Sequence, residues 1–194
     1  RNDLRDLQNP SEEDMLKVQL DDRADFLSQW RDLVLATLEF QPPETGSSRE
    51  AFFLEVRDHW SGRAEPNSVS YRLVRAFTYQ CIAGVYDLLT ESCVAADSDF
   101  LSSWLPYRHA VTWKILESRP AHLLAPFWAN WDDFILQAVD RTMRQATEND
   151  ASLADFTWGR RNVVEVAHPF TWMVPQLSRW LAAPREALPG DSFM

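Results

Sequence analysis

The chain of 194 residues has a formal net charge of −10, which lacks the basic surface that phosphate backbones require and so excludes nucleic acid as a partner. With 45% hydrophobic residues, nine Trp and eleven Phe it is no disordered tail, and five glycines are too few for a hairpin-rich all-β fold. The length suits one domain or two small ones with a sizeable core; no apolar run is long enough to span a membrane, and Arg1 to Asp25 lacks the apolar stretch of a signal peptide.

Arg1 to Leu7 reads as the end of an element that begins upstream. Pro10 to Asp14 is a helix opening, with Ser11 as cap and Asp14 three residues on. Met15, Leu16, Val18 and Leu20 supply its apolar side. After Asp21-Asp22, a stripe of Phe26, Leu27, Trp30, Leu33, Val34 and Leu38 continues at helical spacing until Pro42-Pro43. Arg49 to Trp60 is a shorter helix that should bury Phe52, Phe53 and Val56. Pro66-Asn67-Ser68 opens a long helix through Phe77 and Val85 to about Leu89. It is apolar on most sides and therefore predicted to be central. Cys81 lies within it and reads as a small buried hydrophobe; Cys93 follows near its end.

A further helix spans Tyr107 to Leu116 and stops at Arg119-Pro120. Trp131-Asp132-Asp133 starts another, with an acidic first turn suited to the positive end of the helix dipole. Its inner face is Phe134, Ile135, Ala138, Val139 and Met143. Pro175 to Leu181 reads as a short helix with proline in its first turn. The expected fold class is thus mostly α, about six to eight helices in residues 1–194, with the segment 157–194 packed on helices 10–150.

One stretch breaks the helical pattern. Thr157-Trp158-Gly159-Arg160-Arg161-Asn162 leads into Val163 to Ala167 and then His168-Pro169. Val164, Val166 and His168 alternate with Val163, Glu165 and Ala167, the period of an extended strand. A glycine beside a tryptophan signals a turn or a close backbone approach next to a large apolar anchor. Pro169 ends ladder pairing, having no N–H to donate. Asn162 to Ala167 should therefore run extended over the helices, with Trp158 buried and His168 in a structural hydrogen bond.

Templates for catalysis and cofactor binding find no match: the chain has no phosphate loop, no G-x-G-x-x-G, no G-x-S-x-G and no H-E-x-x-H. Glu55 and His59 sit four apart on one helix, a spacing compatible with a shared metal, but one carboxylate and one imidazole read better as a solvated helix face. Asp21, Asp22 and Asp25 do not have calcium-loop spacing and read as surface charge. His109 and His122 have no neighbouring partners in sequence. Trp30, Trp60, Trp113, Trp131 and Trp180 sit at helical positions and read as packing anchors, not a ligand platform. No catalytic, cofactor-binding or metal-binding residue is assigned, and no cofactor is expected.

The spacing WG-x-x-N-x5-HP, followed by Leu188-Pro189-Gly190-Asp191, resembles the C-terminal part of the penicillin amidase (penicillin/cephalosporin acylase) family of N-terminal-nucleophile hydrolases. Asp14-Met15-Leu16 with Val18-Gln19-Leu20-Asp21-Asp22-Arg23 is similar to that family's D-M-x-x-I-Q-L-D-D-R. Ser118-Arg119-Pro120-Ala121-His122-Leu123-Leu124 is similar to its R-P-x-H-L-L. Gln19, Asp21, Trp158, Asn162, His168 and Asp191 match motif positions, and no catalytic role is assigned to any of them.

The resemblance implies a mechanism for a parent protein. An N-terminal serine freed by autoproteolysis attacks an amide carbonyl with its own α-amine as base, while a backbone amide and an asparagine hold the oxyanion. In the family these groups, and the calcium site of some members, lie outside the matched region. The chain is accordingly expected to be a helical segment of the β-chain of a larger αββα hydrolase, inactive alone. Its partners would be the α-chain and the N-terminal part of the β-chain. The parent's substrate would be a small N-acyl amide such as a β-lactam side chain or an acyl-homoserine lactone, and its location periplasmic or secreted. The alternative is a stand-alone helical interaction module.

Overall fold

The computed structural model describes residues 9–100, 107–149, 152–168, 170–174, 176 and 178–191. The expectations for Arg1 to Leu7, Pro169 and Pro175 fall outside the described residues. The architecture is a helical assembly with one small two-stranded ribbon near the C-terminal end.

Helix α1 (Glu12–Gln19) opens on a full capping box: Ser11 Oγ accepts from the Asp14 N–H at 3.2 Å, and the Asp14 carboxylate accepts from the Ser11 N–H at 3.0 Å. Its apolar residues do not do what their spacing suggests. The helix buries none of its residues, and Met15, Leu16 and Leu20 are exposed. Eight residues cover too little apolar area to dock by themselves, so the cap and the acidic first turn hold this helix locally.

The Asp21-Asp22-Arg23 segment links α1 to α2 (Asp25–Phe40). Arg23 donates its N–H and its guanidinium to Asp21, and Asp22 pairs with Arg63 at 2.5 Å. Backbone bonds from Ala24 to Gly62 (2.7 Å) and from Ala64 to Asp22 (2.8 Å) tie the two segments together as an antiparallel bridge. The acidic run is thus a clasp between two crossings of the chain. Leu27, Trp30, Val34 and Leu38 of α2 are buried, as the stripe predicts.

Helix α3 (Ser48–Asp58) is capped by Ser47, whose side chain accepts from the Glu50 N–H. It buries Phe52 and Val56. Phe53, expected in the core, is only half-buried, with the Arg57 guanidinium 5.0 Å from its ring centre. Helix α4 (Val69–Ala96), capped by Ser68, is the central element, about 42 Å long at 1.5 Å per residue. It packs on α3, on α5 (Arg108–Ser118) and most extensively on α6 (Trp131–Asn149). The helix runs past the expected end at Leu89, which is itself exposed, to Ala96.

A Cβ placed on Gly84 would lie 2.8 Å from Phe134 Cε2, so the missing side chain lets that ring rest directly on the α4 backbone. Phe134, Ile135, Ala138, Val139 and Met143 of α6 are all buried, the face read from periodicity. Arg49 clamps α3 to α6 through two bonds to Asp140, at 2.7 and 2.6 Å.

The R-P-x-H-L-L stretch joins α5 to α6. Arg119 closes α5 in the left-handed region (φ 48°), and its guanidinium reaches Asp132 in the first turn of α6 at 2.8 Å. Trp131 donates its indole N–H to Pro120 O at 3.2 Å. The motif therefore sets the angle between two helices, and His122 in its middle is exposed.

Candidate functional site

Past α6 the chain turns through Leu153–Asp155 into helix α7 (Trp158–Arg161), where a turn or a close backbone approach was expected. Its first backbone donors have no partner within the helix. They are satisfied from outside: Trp158 N–H donates to Ser68 O at 2.9 Å and Gly159 N–H to Pro66 O at 2.7 Å. The loop that opens the central helix thereby also caps α7. A Cβ on Gly159 would sit 2.8 Å from Pro66 O and 2.9 Å from Ala187 Cβ, the close backbone approach that the WG pair signals.

Strand β1 (Val163–Val164) pairs antiparallel with β2 (Glu186–Ala187), Val163 opposite Ala187. Farther along, Ala167 bridges to Ala182, and the short helices α8 (Phe170–Met173) and α9 (Ser178–Leu181) lie in the span that this bridge closes. The extended stretch is real but shorter as a strand than Asn162 to Ala167, and its alternation does not face a core. Val166 and Val163 are both exposed, because among the described residues the ribbon pairs only with itself and no sheet covers it. His168 is exposed and accepts the Phe170 N–H on Nδ1 at 3.2 Å, the structural hydrogen bond expected of it.

The WG-x-x-N and P-G-D motifs meet on this scaffold. The Trp158 indole N–H and the Asn162 side-chain amide both donate to Gly190 O, each at 3.0 Å. Asn162 also donates to Leu188 O at 2.8 Å and receives the Leu188 N–H on its own carbonyl at 3.0 Å. Gly190 N–H in turn donates to Ala64 O at 3.0 Å. With the backbone held at both sides, Asp191 is delivered to the flank of α4.

There its carboxylate accepts from Arg75 Nε at 2.5 Å and from the Tyr71 hydroxyl at 2.8 Å. Arg75 and Asp191 side chains are 4% and 5% exposed, which makes this a buried, hydrogen-bonded ion pair. Arg75 also donates to the Tyr79 hydroxyl at 2.7 Å. Burial, reinforced by the Asp191 charge, pushes the Tyr71 hydroxyl above its ordinary range, so it remains a donor. Tyr71 stacks on Trp60 (6.2 Å between ring centres) and meets Trp158 edge-on at 5.0 Å. Arg75 and Tyr71 were not singled out by the sequence. The one available signal was an arginine on the otherwise apolar face of a central helix, a position that demands a partner.

This arrangement holds and orients; it presents no nucleophile with a base. Elsewhere, the Glu55 and His59 side chains meet at 2.8 Å on the exposed face of α3. Among the described residues no three His, Cys, Asp or Glu groups converge as a metal site. Asp25, Gln19 and His122 are exposed and contribute to no common site. Cys81 is buried and Cys93 exposed, both as free thiols, with burial pushing the Cys81 thiol up. Trp30, Trp131 and Trp158 are buried and Trp60 and Trp113 half-buried, whereas Trp180, expected as an anchor, is 64% exposed beneath the Arg179 guanidinium. No described helix is long and apolar enough to cross a membrane.

A comparison with curated proteins finds no match. The family profile described as penicillin amidase matches residues 2–193, from before the capping box to beyond the P-G-D aspartate. The four motifs that carry the likeness are the joints just described: the D-D-R clasp, the Arg119 hinge, the WG-x-x-N anchor and the Asp191 pair. The chain belongs to the penicillin amidase family, a family of hydrolases.

Proposed function

We propose that this chain is a helical scaffold segment of an acylase that hydrolyses N-acyl amides, and that the segment has no turnover of its own. The family match over residues 2–193 is the observation that carries the hydrolase reading. The scaffold role is supported by how the described hydroxyls are used. Ser11, Ser47 and Ser68 cap helices, and Thr37, Thr78, Thr90 and Thr142 donate to carbonyls one turn back. Hydroxyls so engaged serve the backbone, and the Ser11 hydroxyl donates to the Asp14 carboxylate at 2.7 Å within its capping box, not to a histidine or amine base of the kind that acyl transfer uses. Nucleophile and oxyanion donors come from the part of the parent upstream of this segment, and the segment's partners are the α-chain and the N-terminal part of the β-chain. On the family resemblance the parent is periplasmic or secreted, and its substrate is a small amide with an apolar acyl group.

Chromogenic acyl amides of graded chain length, assayed with the processed parent and with residues 1–194 alone, test this reading. The parent should turn over at least one of them and the segment none. Inactivity of the parent across the series would refute the substrate class. Turnover by the purified segment that persists in a clean expression background would refute the scaffold role.

A further inference from the structure

Beside the Asp191 pair, a cavity of about 420 Å³ opens between α4, the start of α5 and the α6–α7 connection. Its character contradicts that of the molecule around it. The chain carries a net charge of −10, yet among the described residues four arginines (Arg72, Arg75, Arg108 and Arg161) line this cavity and no Asp or Glu does. Two of the four are committed elsewhere. Arg75 pairs with Asp191, and Arg72 lies 3.7 Å over the Phe156 ring while donating to Thr157 O at 3.2 Å.

The other two are placed for a ligand. Arg161, in the last turn of α7, is exposed at the rim. Arg108, in the first turn of α5, lies 5.1 Å over the Tyr86 ring, and its Nε is enclosed without a hydrogen-bond partner among the described residues. The local field has the same sign: burial, then the charges of Arg75 and Arg108, hold the neighbouring His109 down to about 4. The rest of the wall is Phe156, Trp158 and Tyr79, with Gln80 bonded to Gln145 at 3.3 Å. An aromatic wall lined also by two guanidinium groups suits a planar oxyanion attached to an apolar body, and the volume falls in the range of small-molecule sites.

We propose that this cavity binds an organic carboxylate, the oxyanion clasped by Arg161 and Arg108 and its apolar body seated on Phe156 and Trp158. The carboxylate has two available sources, a free small acid or an acidic side chain of a neighbouring protein segment, and the chemistry recognised is the same. The inference is independent of the hydrolase reading, because affinity and not turnover is its observable.

Calorimetric titration with benzoate, its neutral counterpart benzamide and inorganic phosphate tests it, using both the processed parent and the 194-residue chain. Benzoate should bind one to one, with benzamide and phosphate each at least about tenfold weaker. Arg161→Gln and Arg108→Gln should each weaken benzoate about tenfold or more, the scale of a lost charge-assisted bond. Arg161 is at the rim and outside the Asp191 pair, so that variant keeps its fold, which circular dichroism checks. Benzoate binding to the parent that the two arginine substitutions weaken assigns the site to a free acid. Binding to the 194-residue chain alone assigns it to a protein carboxylate that fills the cavity in the parent. Absence of binding to either, equal affinity for benzamide or phosphate, or indifference to both arginine substitutions would overturn the proposal.

Discussion

Trp158 donates its indole N–H to the carbonyl of Gly190, 32 positions later, at 3.0 Å. That bond joins the large apolar anchor of the tail to the residue that presents Asp191. Truncation at this point therefore removes two things at once, a buried ring and the donor that orients the P-G-D turn. Trp158→Ala should destabilise the protein by roughly 3–5 kcal/mol, as for other large core aromatics. Trp158→Phe, which keeps a ring but not the donor, should cost less, on the order of 1 kcal/mol from the bond together with some lost packing. Urea unfolding of both variants checks the order; equal losses would mean that the bond contributes nothing.

Asp191 offers a sharper test. Asp191→Ala leaves the Arg75 charge buried without its carboxylate, and breaking such a pair costs roughly 3–5 kcal/mol. Replacing both partners with apolar residues of similar size should cost less than the single change, since no charge is then stranded. The double-mutant cycle in urea measures this directly. Additive losses would show that the two side chains act separately despite their 2.5 Å contact.

How much of this was legible beforehand depends on range. Helix α6 could be read residue by residue, because one amphipathic face meets one neighbour and the period is local. The capping box at Ser11 was legible for the same reason. The buried pair was not: Arg75 and Asp191 are 116 positions apart, and an arginine on a helix ordinarily reads as solvent-facing. Alternation at Val163 to Ala167 was legible as extended chain, but period alone does not say whether a strand finds a core or only another short strand. The exposed apolar residues of α1 fail in a similar way, since periodicity names a face without naming what covers it.

Stability should depend on pH through His109. Burial and the positive charges of Arg75 and Arg108 lower its pKa from 6.5 to about 4, against a smaller opposing effect of Asp191. Phe26 and Tyr79 contact the ring edge-on at 5.6 and 6.3 Å. A depressed folded-state pKa means that the unfolded chain binds the proton first. The contribution is complete above about pH 6.5 and is lost as pH falls toward 4. The midpoint of urea unfolding should decline across that window, and His109→Gln should flatten the decline. An unchanged slope in the variant would place the acid sensitivity elsewhere.

Ser11→Ala removes a cap worth on the order of 1 kcal/mol to its helix. Because α1 buries none of its residues, that loss should appear as local fraying and not as a global change. Amide exchange should quicken over Glu12–Gln19 while the unfolding midpoint holds. A matching fall in global stability would show that α1 is coupled to the core.

Asn162 and Leu188 exchange backbone and side-chain bonds across 26 positions, so the ribbon and the two short helices between them form an excursion fastened at its base. A polymer fastened at both ends pays little for added contour: doubling such a loop costs only about 0.6 kcal/mol in closure entropy. The anchor residues and the length of what they enclose are thus nearly decoupled. Insertions or deletions inside the excursion should leave the Asp191 pair intact, which makes this span the natural site for length variation in the chain and for grafting a foreign segment.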